Sequence, residues 1–335
     1  MRKILLSAMA LMIGAIGFAQ NTSTVVQTGD DGTSKVTQQS YGNNAIQNQS
    51  GIANEVYITQ KGHGNYANQQ QTDRWPGIPN YPTNVTKATI LQDGNNNKAW
   101  QTQILENETA YANQSGNWNE SRQTQKGWAN LARVYQSGDR NKATQSQGRT
   151  MTAADAYINQ SGDWNTATQN QPEGYYNKAS SKQSGNYNTS KQTQKGEGQS
   201  QVYNITNVDQ SGNRNTATQN QDNVTAQTAG TENFASINQK SSNGFATQNQ
   251  YGDGGYATIS QSMIGGINNY GFQHQDVNSV NADARLTQNG SNNWSQQWQY
   301  GTNNTSNVSQ TANGHWSKVT QHGMGNSNTV IQNNN

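Results

Sequence analysis

The chain of 335 residues is strongly polar: 29% of its residues are hydrophobic, 12% are charged and none is cysteine. A formal net charge of +2 gives no strong bias toward nucleic acid or anionic membranes, and the lack of cysteine excludes disulfides, zinc–thiolate sites and thiol catalysis. Apolar residues are too few to fill a large aliphatic core. The chain must therefore be disordered or fold around polar contacts.

The first 19 residues have the features of a secretory signal peptide. Arg2 and Lys3 precede an apolar stretch over residues 4–18, and Gly17, Phe18 and Ala19 form a small-x-small cleavage site. The stretch is short for a membrane span, and an uncleaved anchor is the alternative. We expect a mature chain that begins near Gln20, is secreted and has no membrane span. Residues 20–26 are interpreted as an N-terminal segment whose candidate role is secretion targeting.

From residue 27 to residue 335 one pattern recurs, Gln-x-Gly-x-x-Asn-x-Ala/Ser-x-x-x-Gln. The closing Gln often opens the next copy, so the spacing is 11 residues. Complete copies start at Gln60, Gln92, Gln114, Gln125, Gln136, Gln160, Gln183, Gln210, Gln288 and Gln299. Weaker copies start at Gln27, Gln38, Gln49, Gln103, Gln239, Gln250, Gln310 and Gln321. An internal repeat of this kind predicts a solenoid.

We number each copy from its opening Gln as position 0. Positions 5, 7, 9 and 11 are separated by two residues, so they lie on one face of a strand, and position 7 is small. The Gly-x-x-Asn segment is predicted to be a turn, because Gly and Asn tolerate positive φ. Each copy is therefore one strand plus one arc.

Position 9 alternates between Gln and, mostly, an aliphatic residue, so two unlike copies make one rung of 22 residues. The Gln members are Gln47, Gln69, Gln101, Gln123, Gln145, Gln169, Gln192, Gln219, Gln248, Gln273 and Gln297. The aliphatic members are Val36, Ile58, Ile90, Val134, Ile158, Val208, Ile237, Ile259, Leu286 and Val308, interrupted by Ala112 and Ser181. The alternation fails at Val319 and Val330, which both follow Val308.

This period predicts an all-β, amyloid-like fold: a parallel two-sheet β-solenoid of about 12 rungs, hence a rod of roughly 60 Å. The Gln column of one sheet faces the aliphatic column of the other, and stacked amides can satisfy one another between rungs. Gln and Asn at positions 0, 5 and 11 add further columns: Gln60, Asn65, Gln71, Gln114, Asn119, Gln125, Asn130, Gln136, Asn141, Gln160, Asn165, Gln183, Asn188, Gln210, Asn215, Gln288 and Asn293. The alternative, a disordered Gln/Asn-rich tract, gives no reason for the phase to persist across insertions.

Seven copies are lengthened: 72–91, 148–159, 172–182, 195–209, 222–238, 262–274 and 276–287. Six of them precede a position 9 of the mostly aliphatic series, so the extra residues are expected to protrude from one edge of the rod. The largest insertion, 72–87, contains three of the four prolines and is predicted to be a loop.

The repeat resembles the curlin repeat of curli fibre subunits over essentially all of residues 27–332. Gln60, Asn65 and Gln71, for instance, match the stacked positions of that family. The resemblance implies an extracellular amyloid fibre at the cell surface, a homopolymer with a role in biofilm matrix and adhesion. It also implies two partners, an outer-membrane secretion pore and a nucleator subunit. This chain differs by having more rungs, copies without spacers and long loops.

Neither the residues nor the resemblance suggests an enzyme, and no catalytic, cofactor or metal site is expected. The four histidines, His63, His274, His315 and His322, are not spaced as metal ligands with carboxylates. Most aromatic residues fall at outward positions, which fits fibre bundling or adhesion as well as ordinary strand preference. The alternative functions are a monomeric β-solenoid adhesin, an ice- or carbohydrate-binding module, and an enzyme on a parallel β-helix.

Overall fold

The computed structural model describes residues 20–72, 85–105, 107–148, 153–196, 203–223, 232–262 and 266–333. Within these ranges the chain forms 26 strands and no helix, so no described segment is a helix long and apolar enough to cross a membrane. The segment predicted to be a signal peptide, residues 1–19, lies outside the described residues.

The odd-numbered strands form one sheet of 13 strands, called sheet A. Its strands are β1 Thr22–Thr28, β3 Asn44–Ser50, β5 Tyr66–Thr72, β7 Lys98–Ile104, β9 Glu120–Gln125, β11 Lys142–Gln147, β13 Thr166–Gln171, β15 Thr189–Gly196, β17 Thr216–Asn223, β19 Phe245–Gln250, β21 Tyr270–Gln275, β23 Trp294–Tyr300 and β25 Trp316–His322.

The even-numbered strands form the second sheet of 13 strands, called sheet B. Its strands are β2 Thr33–Gln38, β4 Glu55–Lys61, β6 Lys87–Asp93, β8 Thr109–Ser115, β10 Leu131–Ser137, β12 Asp155–Ser161, β14 Lys178–Ser184, β16 Tyr203–Gln210, β18 Glu232–Gln239, β20 Tyr256–Gln261, β22 Asp283–Asn289, β24 Thr305–Thr311 and β26 Ser327–Asn333.

Each strand between the ends of its sheet pairs in parallel with the strands two before and two after it, so one strand of each sheet makes a rung. Gln101 pairs with Gln123 in sheet A, and Ala112 pairs with Val134 in sheet B. The Gln and aliphatic columns therefore belong to different sheets, as the sequence period requires. The predicted two-sheet parallel β-solenoid is confirmed.

The narrow space between the sheets explains the small residue at position 7. Ala45, Ala67 and Ala99 stack in sheet A with no exposed surface and contact the aliphatic column through Ile58 and Ile90. At the same position in β21 the chain has Gly271, where a Cβ would lie 2.8 Å from Cδ2 of Leu286. Aliphatic side chains from sheet B thus reach the backbone of sheet A, which limits position 7 to small residues.

The arcs differ from the turn predicted from the sequence. Gly116, at position 2 of its arc, has φ 99°, and a Cβ there would overlap the carbonyl oxygen of Gly138 in the next rung. The second left-handed residue is not the Asn at position 5 but the residue before it, such as Trp118 with φ 60° or Arg140 with φ 58°. The Asn already leads into the strand, and its amide serves the neighbouring rung instead.

The solenoid begins earlier than the repeat. Strand β1 pairs with β3 in full register and places Val25 beside Gln47, at the N-terminal end of the Gln column. At the opposite end Val319 follows Gln297 in that column, whereas Val330 follows Val308 in the aliphatic column. The two valines that break the alternation in the sequence therefore belong to different columns of the last rung.

The lengthened connections do not disturb the register. Six of them run from sheet A to sheet B, and one runs from β20 to β21 in the other direction. Across the largest, Ile58 still pairs with Ile90. Parts of five of these connections lie outside the described residues, namely 73–84, 149–152, 197–202, 224–231 and 263–265. The predicted protrusion of the long loops falls on these segments and stays a prediction.

Candidate functional site: glutamine ladders and the ends of the rod

Three continuous columns of Gln run along the rod. The inner ladder is position 9 of sheet A, eleven residues from Gln47 to Gln297. The A-edge ladder is position 11 of sheet A, from Gln27 to Gln321, and the B-edge ladder is position 11 of sheet B, from Gln38 to Gln332. Ladder residues between these ends are buried although they carry amides.

Every step of a ladder is a hydrogen bond between side-chain amides. The ten steps of the inner ladder are 2.7–3.1 Å from Nε2 to Oε1. The twelve steps of the A-edge ladder are 2.6–3.3 Å. The twelve steps of the B-edge ladder are 2.8–2.9 Å. Such spacing satisfies buried amides that would otherwise be costly.

The same amides also join the two sheets. Gln123 donates a second hydrogen bond from Nε2 to the carbonyl oxygen of Tyr111 in sheet B, at 3.0 Å. All eleven inner-ladder residues make the equivalent bond, at 2.9–3.4 Å. Each Gln therefore fixes both the rung spacing and the separation of the sheets, which a stack of aliphatic side chains cannot do.

All three ladders have the same polarity. In every step the residue nearer the N-terminal end donates through Nε2 and the residue nearer the C-terminal end accepts through Oε1, as from Gln38 to Gln60 and from Gln310 to Gln332. An edge ladder therefore starts with an acceptor at the N-terminal end of the rod and finishes with a donor group at the C-terminal end.

The inner ladder is closed at both ends by hydroxyl groups. Ser34 Oγ donates to Oε1 of Gln47, the first member. Nε2 of Gln297, the last member, donates to Oγ of Ser306 at 2.9 Å and to its carbonyl oxygen at 3.1 Å. Beyond Gln47 the column continues to Val25, and beyond Gln297 it continues to Val319.

Both edge ladders are open at the N-terminal end of the rod, and the B-edge ladder is also open at the C-terminal end. Among the described residues no donor reaches Oε1 of Gln27 or Gln38, although both Nε2 groups bond inward. At the C-terminal end Nε2 of Gln332 bonds only to the carbonyl oxygen of Trp316 within the described part of the chain, at 2.8 Å. Nε2 of Gln321, in contrast, donates to the carbonyl oxygens of Thr305 and Asn326 at 2.8 and 3.1 Å. One edge of each of β1, β2, β25 and β26 is also unpaired there. Both ends of the rod are thus incomplete copies of an interior rung.

The predicted Asn residues form a column, but their amides do not bond to one another. In sheet A the Oδ1 of each Asn accepts from the main-chain nitrogen of the next, as from Asn119 to Asn97 at 2.9 Å. Its Nδ2 donates to an arc carbonyl, as from Asn119 to Gly138 at 2.8 Å. Asn65, Asn119, Asn141, Asn165, Asn188, Asn215 and Asn293 lie in this sheet A column. Asn130 precedes β10 in sheet B and accepts from Ala154 instead.

The aliphatic column is almost completely buried. Ile58, Ile90, Val134, Ile158, Val208, Ile237, Ile259, Leu286 and Val308 are at most 3% exposed, and Val36 at the N-terminal end is half-buried. Ala112 and Ser181 interrupt the column without disturbing its pairing.

The outer surface carries stacked aromatic rings. On sheet A Phe245, Tyr270, Trp294 and Trp316 form one column with ring centroids 5.1–5.7 Å apart. His274 lies nearby against Trp298 at 4.8 Å, and its burial there lowers its pKa although Asp276 acts in the opposite sense. Among the described residues no group of three or more His, Asp or Glu side chains is placed to hold a metal ion.

The chain was also compared with known proteins. No family model matches it, and no curated protein matches it either.

The ladders follow from the sequence period, whereas the chemistry of their ends does not. The structure places Gln60, Gln114, Gln136, Gln160, Gln183, Gln210 and Gln288 in the B-edge ladder, and Gln71 and Gln125 in the A-edge ladder. Sequence reasoning missed β1, the two serine caps and the common direction of donation. The sequence contained one sign of the serine caps. At position 7 of sheet B, eight of the ten residues between Ser34 and Ser306 are Ala, so a serine at each end stands out.

Proposed function

We propose that this protein is a structural subunit of extracellular, curli-like amyloid fibres, which grow when copies stack end to end. The observation that carries the proposal is the state of the two ends. Sheet edges are unpaired there, and another copy would supply the missing ladder partners of Gln27, Gln38 and Gln332. Open edges of this kind are templates for further strands.

The register of the rod supports stacking without rearrangement. Placing β1 of one copy on β25 of another sets Gln27 after Gln321, and placing β2 on β26 sets Gln38 after Gln332. The positions match because every rung repeats the same columns at about 4.8 Å. The curlin-like repeat supports the fibre assignment, with secretion through an outer-membrane pore, a nucleator as partner, and biofilm matrix and adhesion as the role.

Cysteine cross-linking tests the stacking, because the chain has no cysteine of its own. Thr24 on β1 and Lys318 on β25 are both exposed, point outward and share repeat position 8. In stacked copies they would be neighbours about 4.8 Å apart, whereas in one molecule they lie at opposite ends of the rod. A variant with Thr24→Cys and Lys318→Cys should form covalent ladders with a short bifunctional reagent once fibres have grown.

The control pairs Thr24→Cys with Thr329→Cys, which lies on the outer face of sheet B. Stacked copies hold these two cysteines on opposite faces, so the control should stay uncross-linked. Secreted protein that forms no thioflavin-positive fibres would contradict the proposed function and favour a monomeric adhesin.

A further inference from the structure

The inner ladder stops one strand short of each end of the rod. Sheet A has 13 strands, and the inner ladder occupies eleven of them. The terminal positions of its column are Val25, which is 41% exposed, and Val319, which is 2% exposed. Val319 belongs to the same hydrophobic cluster as Val308, and the half-buried Val330 packs against this cluster. Because Ser34 and Ser306 already satisfy the terminal amides, this ladder needs no partner beyond the chain.

The two edge ladders behave differently and set an orientation. Two N-terminal ends brought together would oppose the Oε1 acceptors of Gln27 and Gln38 on both sides, and two C-terminal ends would oppose donors. Only an N-terminal end on a C-terminal end pairs donors with acceptors. The valines then come together, because Val25 falls directly after Val319 in the same column and beside Val330.

We propose that the partner of each end is a second copy of this chain in the same orientation, and that Val25 of one copy packs on Val319 of the next as an apolar contact that selects this chain. The inference rests on the proposed function. The junction differs from every interior rung, since an amide–amide step is replaced by a valine pair between two closed ladders.

This replacement makes the junction selective. A rod that presents Gln in this column would bury one ladder group of that amide, its Oε1 or its Nε2, against a valine that can neither donate nor accept. An unpaired buried amide is costly, whereas a valine pair is stabilised by burial. Each end of the rod therefore binds another copy of this chain in preference to other solenoids with glutamine ladders.

Seeded elongation of Val25→Gln tests the contact. Val25 is exposed in the single molecule, so the substitution leaves the fold of the monomer intact. We expect elongation on wild-type seeds to slow about fivefold or more, the rate equivalent of one unpaired amide. The matched control is Val26→Gln, because Val26 is the next residue of β1, is 51% exposed and points outward. That control should elongate at the wild-type rate.

The double variant Val25→Gln/Val319→Gln changes the specificity instead of removing it. Its ends carry Gln on both sides, so it should elongate quickly on its own seeds and remain slow on wild-type seeds. Wild-type rates for Val25→Gln, or a double variant that is slow on its own seeds or equally fast on both, would overturn the proposal. Wild-type protein that fails to seed itself would instead contradict the proposed fibre function.

Discussion

The two inner faces of the rod are built from opposite chemistry and tolerate change differently. The aliphatic column of sheet B is interrupted by Ala112 and Ser181, and both rungs keep their register. The inner ladder of sheet A has no interruption between Gln47 and Gln297. Apolar contacts are non-directional, so a smaller residue loses only its own packing contacts. A residue missing from the amide ladder removes one hydrogen-bond partner from each of its two neighbours.

The largest loss of stability is expected from Gln145→Leu, at the centre of the inner ladder. The change removes the acceptor of Gln123 Nε2 and the donor to Gln169 Oε1. We expect a loss in the free energy of unfolding of about 1–3 kcal/mol for each of these two groups. Guanidinium unfolding measures it, with Thr144→Leu on the outer face of the same strand as the control.

The matching change in the other column is Ile158→Val, which removes one methylene from a fully buried residue. The expected loss is about 0.5–1.5 kcal/mol, since only packing is affected. The same unfolding experiment compares the two columns directly. A loss for Ile158→Val as large as that for Gln145→Leu would show that the columns do not differ in the way proposed.

A smaller effect is expected from acidification at the outer face of sheet A. Burial lowers the pKa of His274 below its usual 6.5, with Asp276 Oδ1 at 3.9 Å opposing the shift. The neutral imidazole therefore stabilises the fold above about pH 6.5, and this contribution is lost as the pH falls through the lowered pKa. Unfolding midpoints measured at about pH 7.5 and about pH 5.5 should differ more for the wild type than for His274→Phe. An identical pH response in the two proteins would contradict the assignment.

The smallest effect is expected from shortening the largest connection. Deleting residues 73–82 leaves four residues between β5 and β6, the number that separates Ile104 of β7 from Thr109 of β8. The pairing of Ile58 with Ile90 keeps its phase, so thioflavin-monitored growth should be unchanged. Loss of fibres in this deletion would mean that the loop is structural.

The period of the fold could be predicted from the sequence because a strand repeats every two residues and a stacked rung must repeat its columns. These two rules alone assign Gln123 and Val134 to different sheets, as the structure has them. The end rungs could not be predicted in this way, because Val25 lies before the first recognisable repeat. The role of Asn119 was also out of reach, since an amide can bond to another amide or to the backbone, and only the arc geometry decides.

The uniform direction of donation in the ladders has an electrical consequence. A primary amide is a dipole, and three columns of amides aligned head to tail add their dipoles along the rod as peptide groups do along a helix. The strands themselves contribute little, because their main-chain dipoles alternate. The N-terminal end, with the Oε1 atoms of Gln27 and Gln38, is therefore the negative pole, and the end at Gln332 is the positive pole. Stacking in one orientation lengthens this dipole with every added copy, so a fibre should align in an electric field more strongly as it grows.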